Sequence, residues 1–387
     1  MNKMIPHPNW VEINLDALRE NLMEVRKLIE PNVKILLPVK AHAYGHGILA
    51  CSLLAQKEGV DMLGVAHSFE AIPLRKSGVH IPILVMGPLL EESFEEVIEY
   101  NLTPTITSIA AAKAFQAFLK KKKTKHKVHL KVDTGMSRYG FDFQSLDLVK
   151  CFDFSQLEIE GLYSHMANGE NSLHFSNRQQ IERFQNVLHR LPRRPEFLHL
   201  ANSATLMNFP DSHYNMVRPG LISYGYSPFE NRLLPEHFQG TMRLKATIRQ
   251  ISEIRSGQGV SYGHNWTAPK NTVVASVAIG YGDGIFRSSK EALFYVNGQA
   301  CPVLGNICMD TTLIDVSKLK NPKVGTEVHI INREVSQEIA IERVAQRADT
   351  IAYEQSCRMA RRLFRIYQWK GQLRRWDEIK EDLGWQG

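Results

Sequence analysis

One segment constrains this chain more than any other: residues 38–47 read PVKAHAYGHG. It follows the apolar run 35–37 and places Lys40 at the end of a predicted buried strand. Burying an ammonium group is costly unless the group is neutralised or used. A lysine amine in an apolar site loses its proton readily and can form an imine with a carbonyl cofactor. We expect Gly45 and Gly47 to let the backbone turn sharply and approach a ligand.

Strand-like and helix-like stretches alternate through the first part of the chain. We predict strands at residues 33–39, 61–66, 82–87, 104–107, 128–132, 157–164, 197–200 and 216–223. Predicted helices separate most of them, at 48–57, 91–100, 109–120 and 177–191, after a first helix that Asn14 or Asp16 caps and Pro31 ends. Eight strands with intervening helices favour a (β/α)8 TIM barrel over an open sheet. Catalytic side chains of such a barrel lie at the carboxyl ends of its strands, where we find Lys40, Lys131, His165, Ser203 and Arg218.

The pattern changes after about Tyr226. Short β-branched segments follow, at residues 244–254, 272–279, 293–296, 313–316 and 327–331, and they predict a β-rich second domain. We therefore expect an α/β chain with the barrel at residues 1–232 and the β-rich domain at 233–387. The arginine-rich stretch 339–367 is interpreted as a final helix. The tail after Tyr367 suggests no function.

Composition excludes several classes of protein. A formal charge of +7 over 387 residues is modest, and the basic run 120–127 lacks the aromatic partners of a nucleic-acid patch, so we interpret it as a solvated loop. The five cysteines show no zinc spacing, so we expect reduced thiols, no metal and a cytoplasmic location. The apolar runs are too short to cross a membrane, and the first ten residues do not look like a signal peptide.

Further motifs follow the lysine segment in order. They are KVDTGMSRYG at 131–140, GLYSHMAN at 161–168, HLANSA at 199–204, VRPGLISYG at 217–225, GVSYG at 259–263, IGYGDG at 279–284, GNICMD at 305–310 and AYE at 352–354. Together, from about Trp10 to Tyr367, they resemble the alanine racemase family of enzymes that use pyridoxal phosphate (PLP). Three residues depart from the usual family pattern: His42 replaces asparagine, Ser137 replaces glycine and Met166 replaces phenylalanine.

The resemblance implies a role for each matching residue. Lys40 and Tyr262 would be the two catalytic bases, with Tyr262 supplied across a dimer interface. The implied cofactor-binding residues are Lys40, Tyr44, His165, Asn202, Ser203, Arg218, Gly220, Leu221, Ile222 and Tyr353. The implied substrate-binding residues are Arg138, Met309 and Asp310. In many members of the family, the lysine at the position of Lys131 is carbamylated.

Arg218 bears on the choice of reaction. The resemblance places it at the pyridine nitrogen, and a guanidinium cannot realistically give up a proton to that nitrogen. An unprotonated ring is a weak electron sink, and with one base on each face it suits racemisation better than transamination. The implied function is interconversion of L-alanine and D-alanine by a homodimer, supplying D-alanine for peptidoglycan synthesis.

Other readings of the sequence stay open. A broad-specificity, serine or basic-amino-acid racemase could use the same scaffold, because the residues that close the pocket decide the substrate. A PLP-dependent decarboxylase of related fold would not explain the Arg218 and Tyr262 motifs. A PLP-binding homeostasis protein without turnover would normally consist of the barrel alone, so the residues after about 235 count against it.

Overall fold

The structure, a computed structural model, describes residues 7–230, 232–289 and 291–386. Its contacts divide the chain into two compact units. The barrel unit comprises Arg19–Ala43, Ile48–Ser223 and the residues from Glu381 onward. The β-rich unit comprises the residues up to Leu18, Tyr44–Gly47 and Tyr224–Lys380. The predicted division at residues 232 and 233 therefore differs from the observed one at the N-terminal strand, at residues 44–47, near Tyr224 and at the last residues.

Eight parallel strands close the barrel, as the sequence predicts. They are Lys34–Pro38, Met62–Val65, Ile83–Pro88, Thr103–Ile106, His126–Asp133, Leu157–Tyr163, Phe197–Asn202 and Met216–Arg218. The last strand pairs with both the first and the seventh, so the sheet has no open edge. A two-residue strand, Phe141–Asp142, pairs parallel with the last two residues of the fifth strand and is not one of the eight.

Helices follow most of the barrel strands. They are Leu15–Lys27 (which begins in the β-rich unit), Ile48–Lys57, Ser68–Lys76, Phe94–Glu99, Ile109–Lys122, Asp147–Lys150, Ser176–His189 and Ser203–Asn208, with 3₁₀ turns at Glu91–Ser93, Cys151–Asp153 and Pro210–Ser212. The segment Lys40–Tyr44 is a single left-handed turn that ends in the β-rich unit. Asn14 caps the first of these helices, since its Oδ1 accepts the Ala17 N–H at 2.9 Å. The sequence analysis did not predict the helix Ser68–Lys76, which has Pro73, a residue that disfavours helix interiors, inside it.

Alternation along the fifth barrel strand explains how the barrel acquires a polar interior. Val128, Leu130 and Val132 belong to the apolar core that also contains Phe115, on the helix Ile109–Lys122. Side chains of a strand point alternately to opposite faces. His129 therefore lies on the other face, which lines the inside of the barrel.

The β-rich unit contains a second nine-stranded sheet. Its strands are Asn9–Asn14, Met242–Ile254, Thr272–Val277, Leu293–Val296, Gln299–Pro302, Thr312–Asp315, Glu327–Ile331, Phe364–Trp369 and Gln372–Arg374, and Gly259–Val260 pairs separately with Trp266–Thr267. Its helices are Ile341–Arg347, Ala352–Cys357 and Trp376–Ile379, with 3₁₀ turns at Leu221–Tyr224 (which begins in the barrel unit), Tyr262–His264, Tyr281–Asp283 and Gln337–Ile339.

The N-terminal strand was missed by the sequence analysis. Asn9–Asn14 pairs antiparallel with Met242–Ile254 and parallel with Phe364–Trp369, so both of its edges are occupied. Its side chains from Trp10 to Asn14 are all buried. A six-residue strand whose partners lie more than 200 residues further along the chain carries no local signal for its pairing.

The predicted helix at residues 339–367 is wrong. Two short helices occupy part of it, and Asp349, with φ of 56°, lies between them in a left-handed conformation that ends the first one. The stretch then becomes the strand Phe364–Trp369. This strand turns through Lys370 and Gly371, both at positive φ, into Gln372–Arg374, so part of the uninterpreted tail is a β-hairpin.

The end of the chain belongs to the barrel unit. Leu383 is buried, and the Gln386 N–H donates to the Ser77 carbonyl at 3.2 Å. Lys57 Nζ donates to the carbonyl oxygen of Asp382. Within the described ranges, no helix is long and apolar enough to cross a membrane.

Candidate functional site

Lys40 lies directly beyond the first barrel strand, where the backbone takes an unusual path. Ala41, His42, Ala43 and Tyr44 all have φ between 51° and 58°. A left-handed conformation costs a residue that is not glycine roughly 1–2 kcal/mol, so this turn needs support. The turn changes the direction of the backbone immediately after Lys40. The departure at His42 falls at a left-handed position, and histidine, like the asparagine usual in the family, adopts this conformation more often than most residues do.

Glu70 supplies support that sequence reasoning missed. Its Oε1 accepts the Ala41 N–H at 2.7 Å, and its Oε2 accepts the Ala66 N–H at 2.7 Å. One carboxylate on the unpredicted helix Ser68–Lys76 thus ties the lysine turn to the end of the second barrel strand. Charge-assisted hydrogen bonds of this kind are about twice as strong as neutral ones.

Lys131 is enclosed by aromatic rings near the end of the fifth barrel strand. It is 2% exposed, and its Nζ lies 4.5 Å from the centre of the Tyr139 ring and 5.6 Å from that of Tyr163. Burial, followed by the charges of Arg138 and Arg218, lowers the pKa of Lys131 to about 7. A large share of the amine is therefore neutral and nucleophilic near neutral pH.

The predicted arginine of the same motif lies close to this lysine. Arg138 is exposed, and its guanidinium lies 5.1 Å from the centre of the Tyr139 ring that Lys131 also contacts. The loop between them is fixed by Asp133, whose carboxylate accepts the N–H groups of Gly135, Met136 and Arg138. Ser137 has a φ of 56°, so this departure from the family pattern puts serine where glycine is conformationally easier.

Arg218 is the centre of a buried polar cluster. It is 4% exposed, and Nη2 donates to the carbonyls of Ser164 at 2.7 Å and Leu200 at 3.1 Å. The same Nη2 lies 3.2 Å from His165 Nδ1, and Nη1 lies 3.0 Å from His199 Nδ1. Burial, and next the charge of Arg218, hold the pKa of both histidines well below the ordinary value, so both rings are neutral.

Two predicted phosphate-binding segments meet in the barrel unit. The hydroxyl of Ser203, at the start of the helix Ser203–Asn208, accepts the Ile222 N–H at 3.4 Å. Leu221 and Ile222 are buried, directly after Gly220. Asn202 is used locally, since its Oδ1 accepts the Thr205 N–H at 3.0 Å as a helix cap.

The predicted tyrosines of the β-rich unit also come together. Tyr44 lies 5.9 Å from Tyr353 and 5.2 Å from Tyr224, measured between ring centres. A Cβ on Gly45 would lie 2.0 Å from the Ser356 carbonyl oxygen, and one on Gly47 would lie 2.7 Å from the Tyr367 hydroxyl. We expected these glycines to let the backbone approach a ligand. The atoms that a Cβ would meet at these two positions belong to the β-rich unit, which explains why residues 44–47 join that unit. The approach to a ligand stays a prediction.

The remaining predicted residues lie at the surface of the β-rich unit. Tyr262 is 71% exposed, and its carbonyl accepts from Asn306 Nδ2 at 2.6 Å. The same motif as Asn306 contains Met309, which is 53% exposed, and Asp310. Asp310 pairs with Arg362 Nη2 at 2.6 Å. The structure thus links the Tyr262 turn to the Met309 segment and leaves the side chains of Tyr262 and Met309 accessible.

Arg362 reaches a second carboxylate. Its Nε pairs at 2.7 Å with Asp283, which is 1% exposed and also accepts the Gly280 N–H at 3.0 Å. The motif at 279–284 is therefore not a phosphate loop. It is a turn that holds Arg362, and through it Asp310. Among the described residues, no group of His, Cys, Asp or Glu is arranged to hold a metal ion.

Sequence reasoning did not identify Tyr139, Tyr163, His199 or Glu70 as parts of the site. For His199 and Tyr163 a signal existed, because both lie on predicted barrel strands. His199 alternates with the buried Leu198 and Leu200, and alternation places it inside the barrel. Glu70 offered no such signal, because its helix was not predicted.

Comparison with known proteins agrees with this geometry. The alanine racemase N-terminal domain profile matches residues 13–228, and the alanine racemase C-terminal domain profile matches residues 241–367. An alanine racemase of Methanococcus maripaludis is 36% identical over 94% of this chain and 100% of its own length.

Solved structures are similar as well. An alanine racemase of Clostridium difficile superposes with a TM-score of 0.90 at 34% identity, covering 95% of this chain and 98% of that one. One of Bartonella henselae with covalently bound pyridoxal phosphate has a TM-score of 0.85 at 29% identity, covering 94% and 100%. Both the fold and the sequence match over nearly the whole chain, and this chain therefore belongs to the alanine racemase family.

Proposed function

We propose that this chain interconverts L-alanine and D-alanine with PLP held by Lys40, and so supplies D-alanine for peptidoglycan. The observation that carries the proposal is the buried Arg218 cluster, because its donors and neutral imidazoles match what the ring of this cofactor needs. The β-rich unit and the match to the C-terminal domain count against a carrier made of the barrel alone.

The donor set fits the cofactor. Arg218 can only donate hydrogen bonds, so it suits an unprotonated ring nitrogen. The neutral His165 beside it can lie against the ring without adding charge. The Ser203 hydroxyl oxygen and the Ile222 nitrogen lie 3.4 Å apart, close enough for both groups to bind one phosphate. Gly220 and Leu221, which directly precede Ile222, would contribute further backbone N–H groups. The paired Tyr44 and Tyr353 would add phenol hydroxyls, and Asn202 would shape this end by capping its helix.

Bound PLP would supply the electron withdrawal that makes the α-proton of alanine acidic. The Lys40 amine would hold or release the proton on one face of the substrate. Tyr262 of the partner subunit would do so on the opposite face, since inversion requires one base on each side. Its exposure, with that of Met309, supports a role at a second chain's site. We therefore propose a homodimer with shared active sites, in which Met309 and Asp310 line the pocket.

Lys131 is proposed to carry a carbamate. Its Nζ would bond to the carbon of CO₂ and lose a proton, and its lowered pKa of about 7 supports this because only the neutral amine reacts. The carbamate anion would then attract Arg138 and fix it to receive the substrate carboxylate. Without that change, the lysine and the arginine would repel each other.

We also propose a cytoplasmic location, which the five free cysteines support, three of them buried. Turnover tests the function directly. The purified protein loaded with PLP should convert each alanine enantiomer to the other, faster than it racemises serine or lysine. Equal or faster turnover of serine or lysine would favour the alternative racemases. Bound PLP without turnover of any amino acid would favour a carrier.

A further inference from the structure

A row of polar side chains runs from Arg218 through the interior of the barrel. His199 Nδ1 lies 3.0 Å from Arg218 Nη1, and His199 Nε2 lies 2.9 Å from His129 Nδ1. His129 Nε2 in turn faces Glu160 Oε1 at 3.6 Å, an electrostatic contact that is too long for a hydrogen bond. Both histidines are fully buried. Of these four residues, the proposed reaction uses only Arg218.

The hydrogen bonds of this row can run in only one direction. A guanidinium donates and never accepts, so His199 Nδ1 must accept from Arg218. His199 then carries its proton on Nε2 and donates it to His129 Nδ1. His129 consequently carries its own proton on Nε2, pointing toward Glu160. Each neutral ring has one tautomer that is consistent with its hydrogen-bonded neighbours, and the His129 Nε2–H points at the Glu160 carboxylate without a hydrogen bond.

The barrel is shaped to admit the second histidine. Gly161 pairs with His129 on the neighbouring strand, and a Cβ on Gly161 would lie 2.4 Å from the His129 ring. Any other residue there would displace the ring. The glycine is thus required by the position of His129 and not by a turn.

The row ends at a cavity on the surface. The other oxygen of Glu160 pairs with Lys127 Nζ at 2.9 Å. Both residues, together with Arg193 and Glu196, line a cavity of about 420 Å³. Lys127 is the second residue of its strand, so this cavity lies at the amino end of the strands, opposite Arg218. The charged Nζ of Lys127 is in contact with solvent.

We propose that His199, His129 and Glu160 form a positioning relay that fixes Arg218 and couples it to the charge at this basal cavity. The inference rests on the proposed function, in which Arg218 faces the cofactor ring. Protonation of His129 would make both of its nitrogens donors, and its Nδ1–H would then oppose the His199 N–H. His199 would have to reverse, and it would point a proton at Arg218. The relay therefore works only while His129 is neutral.

Several charges set the proton affinity of His129. Burial lowers its pKa most and Arg218 lowers it further, whereas Glu160 and Glu196 raise it. The neutral His199 is its hydrogen-bond partner. For Glu160, burial opposes ionisation, but His129 and Lys127 outweigh it and lower its pKa. Changing Glu160 or Lys127 should thus move the titration of His129 in opposite directions.

Two variants of the holoenzyme test the relay through the pH dependence of kcat for alanine. Glu160→Gln keeps an oxygen acceptor and removes the charge, so the acid limb should move to lower pH by at least about half a unit. Lys127→Met frees the Glu160 charge to act on His129, and the limb should move to higher pH. Lys150→Met is the matched control, since Lys150 has the same 63% side-chain exposure and pairs with Asp147 at 2.7 Å. It should leave the limb unchanged.

A spectroscopic readout separates the relay from the reaction. In holoenzyme labelled with ¹⁵N-histidine, His129 and His199 should both carry the proton on Nε2, with assignments from His129→Gln and His199→Gln. A proton on Nδ1 of His199, or an acid limb that neither Glu160→Gln nor Lys127→Met moves, would overturn the relay. Correct tautomers in a protein that racemises no amino acid would support the relay and overturn the proposed function.

Discussion

Two candidate site residues of the barrel unit differ sharply in exposure from two candidate site residues of the β-rich unit. In the barrel unit Lys131 and Arg218 are 2% and 4% exposed, and each is surrounded by rings, carbonyls or imidazoles of its own unit. In the β-rich unit Tyr262 and Met309 are 71% and 53% exposed. Buried charges must be satisfied within the fold, whereas exposed aromatic groups gain a role when another surface covers them. Lys131 and Arg218 are therefore positioned by residues of the barrel unit. The exposure of Tyr262 and Met309 supports the proposal that these two residues act at the site of a second chain.

Loss of the barrel lysine should have the largest effect. Lys40→Ala removes both the attachment of the cofactor and one base, so kcat should fall by at least about 10⁴-fold in both directions. Racemisation assays with each enantiomer measure this, and circular dichroism serves as the check on folding. Retention of more than a few per cent of activity would contradict the role of Lys40.

Loss of the exposed tyrosine should be large but one-sided. Tyr262→Phe keeps the ring and removes the proton acceptor, so α-proton removal from L-alanine should slow by about 10²–10⁴-fold. Removal from D-alanine, for which Lys40 is the abstracting base, should change far less. Single-turnover exchange of the α-hydrogen in deuterated water separates the two steps. Equal losses for both enantiomers would contradict the assignment of one base to each face.

Lys131 gives the barrel unit a pH signature. Its pKa of about 7 lies below the ordinary value, so between pH 7 and 10 the unfolded chain binds more protons here than the folded chain. The contribution of Lys131 to stability should therefore rise with pH across this window and should be absent in Lys131→Met. Chemical denaturation of both proteins in CO₂-free buffer measures the difference.

The proposed carbamate adds a second effect at the same residue. Bicarbonate at pH 8 should stabilise the wild type, should not stabilise Lys131→Met, and should give a carbamate signal in ¹³C NMR. In the denaturation experiment in CO₂-free buffer, the same dependence of stability on pH in the wild type and in Lys131→Met would contradict the burial of the Lys131 amine. An unchanged wild type in bicarbonate would contradict the modification.

A substitution at Gly45 tests whether the close contact with Ser356 holds residues 44–47 in the β-rich unit. Gly45→Ala would push a Cβ to 2.0 Å from the Ser356 carbonyl at a φ of +84°, so we expect a loss of about 2–4 kcal/mol in the free energy of unfolding. Gly59→Ala is the matched control, because Gly59 has a φ of +75° and nothing within 4 Å of the added Cβ. It should cost only about 1 kcal/mol. Similar losses in the two variants would show that the contact with Ser356 is unimportant.

Local patterns were enough to predict much of this fold, and their failures have physical causes. The barrel strands are apolar runs with helices between them, and Lys40, Lys131 and Arg218 could be placed at strand ends for that reason. The strand Asn9–Asn14 was missed because its partners lie far along the chain. Residues 339–367 were misread because a helical composition says nothing about the left-handed Asp349.

The candidate site shows the same limits. Motifs identified residues one at a time, but the contacts that hold them come from elsewhere in the chain. Glu70 fixes the backbone beyond Lys40 across 29 positions, and Arg362 holds Asp310 across 52. His199 could have been found by alternation along its strand. Its contact with His129 depends on the closure of the barrel and on the space at Gly161, neither of which a motif encodes.

Mixed dimers test the contrast between the two units most directly. We expect Lys40→Ala and Tyr262→Phe homodimers each to retain at most about 1% of wild-type activity toward L-alanine, and one site of their heterodimer would contain both wild-type bases. Random exchange makes half of the dimers mixed with one intact site of two, so we expect about a quarter of wild-type activity to return. Subunit exchange is verified with two affinity tags. Exchange without any recovery of activity would mean that Lys40 and Tyr262 act within one chain, and it would contradict the shared active site.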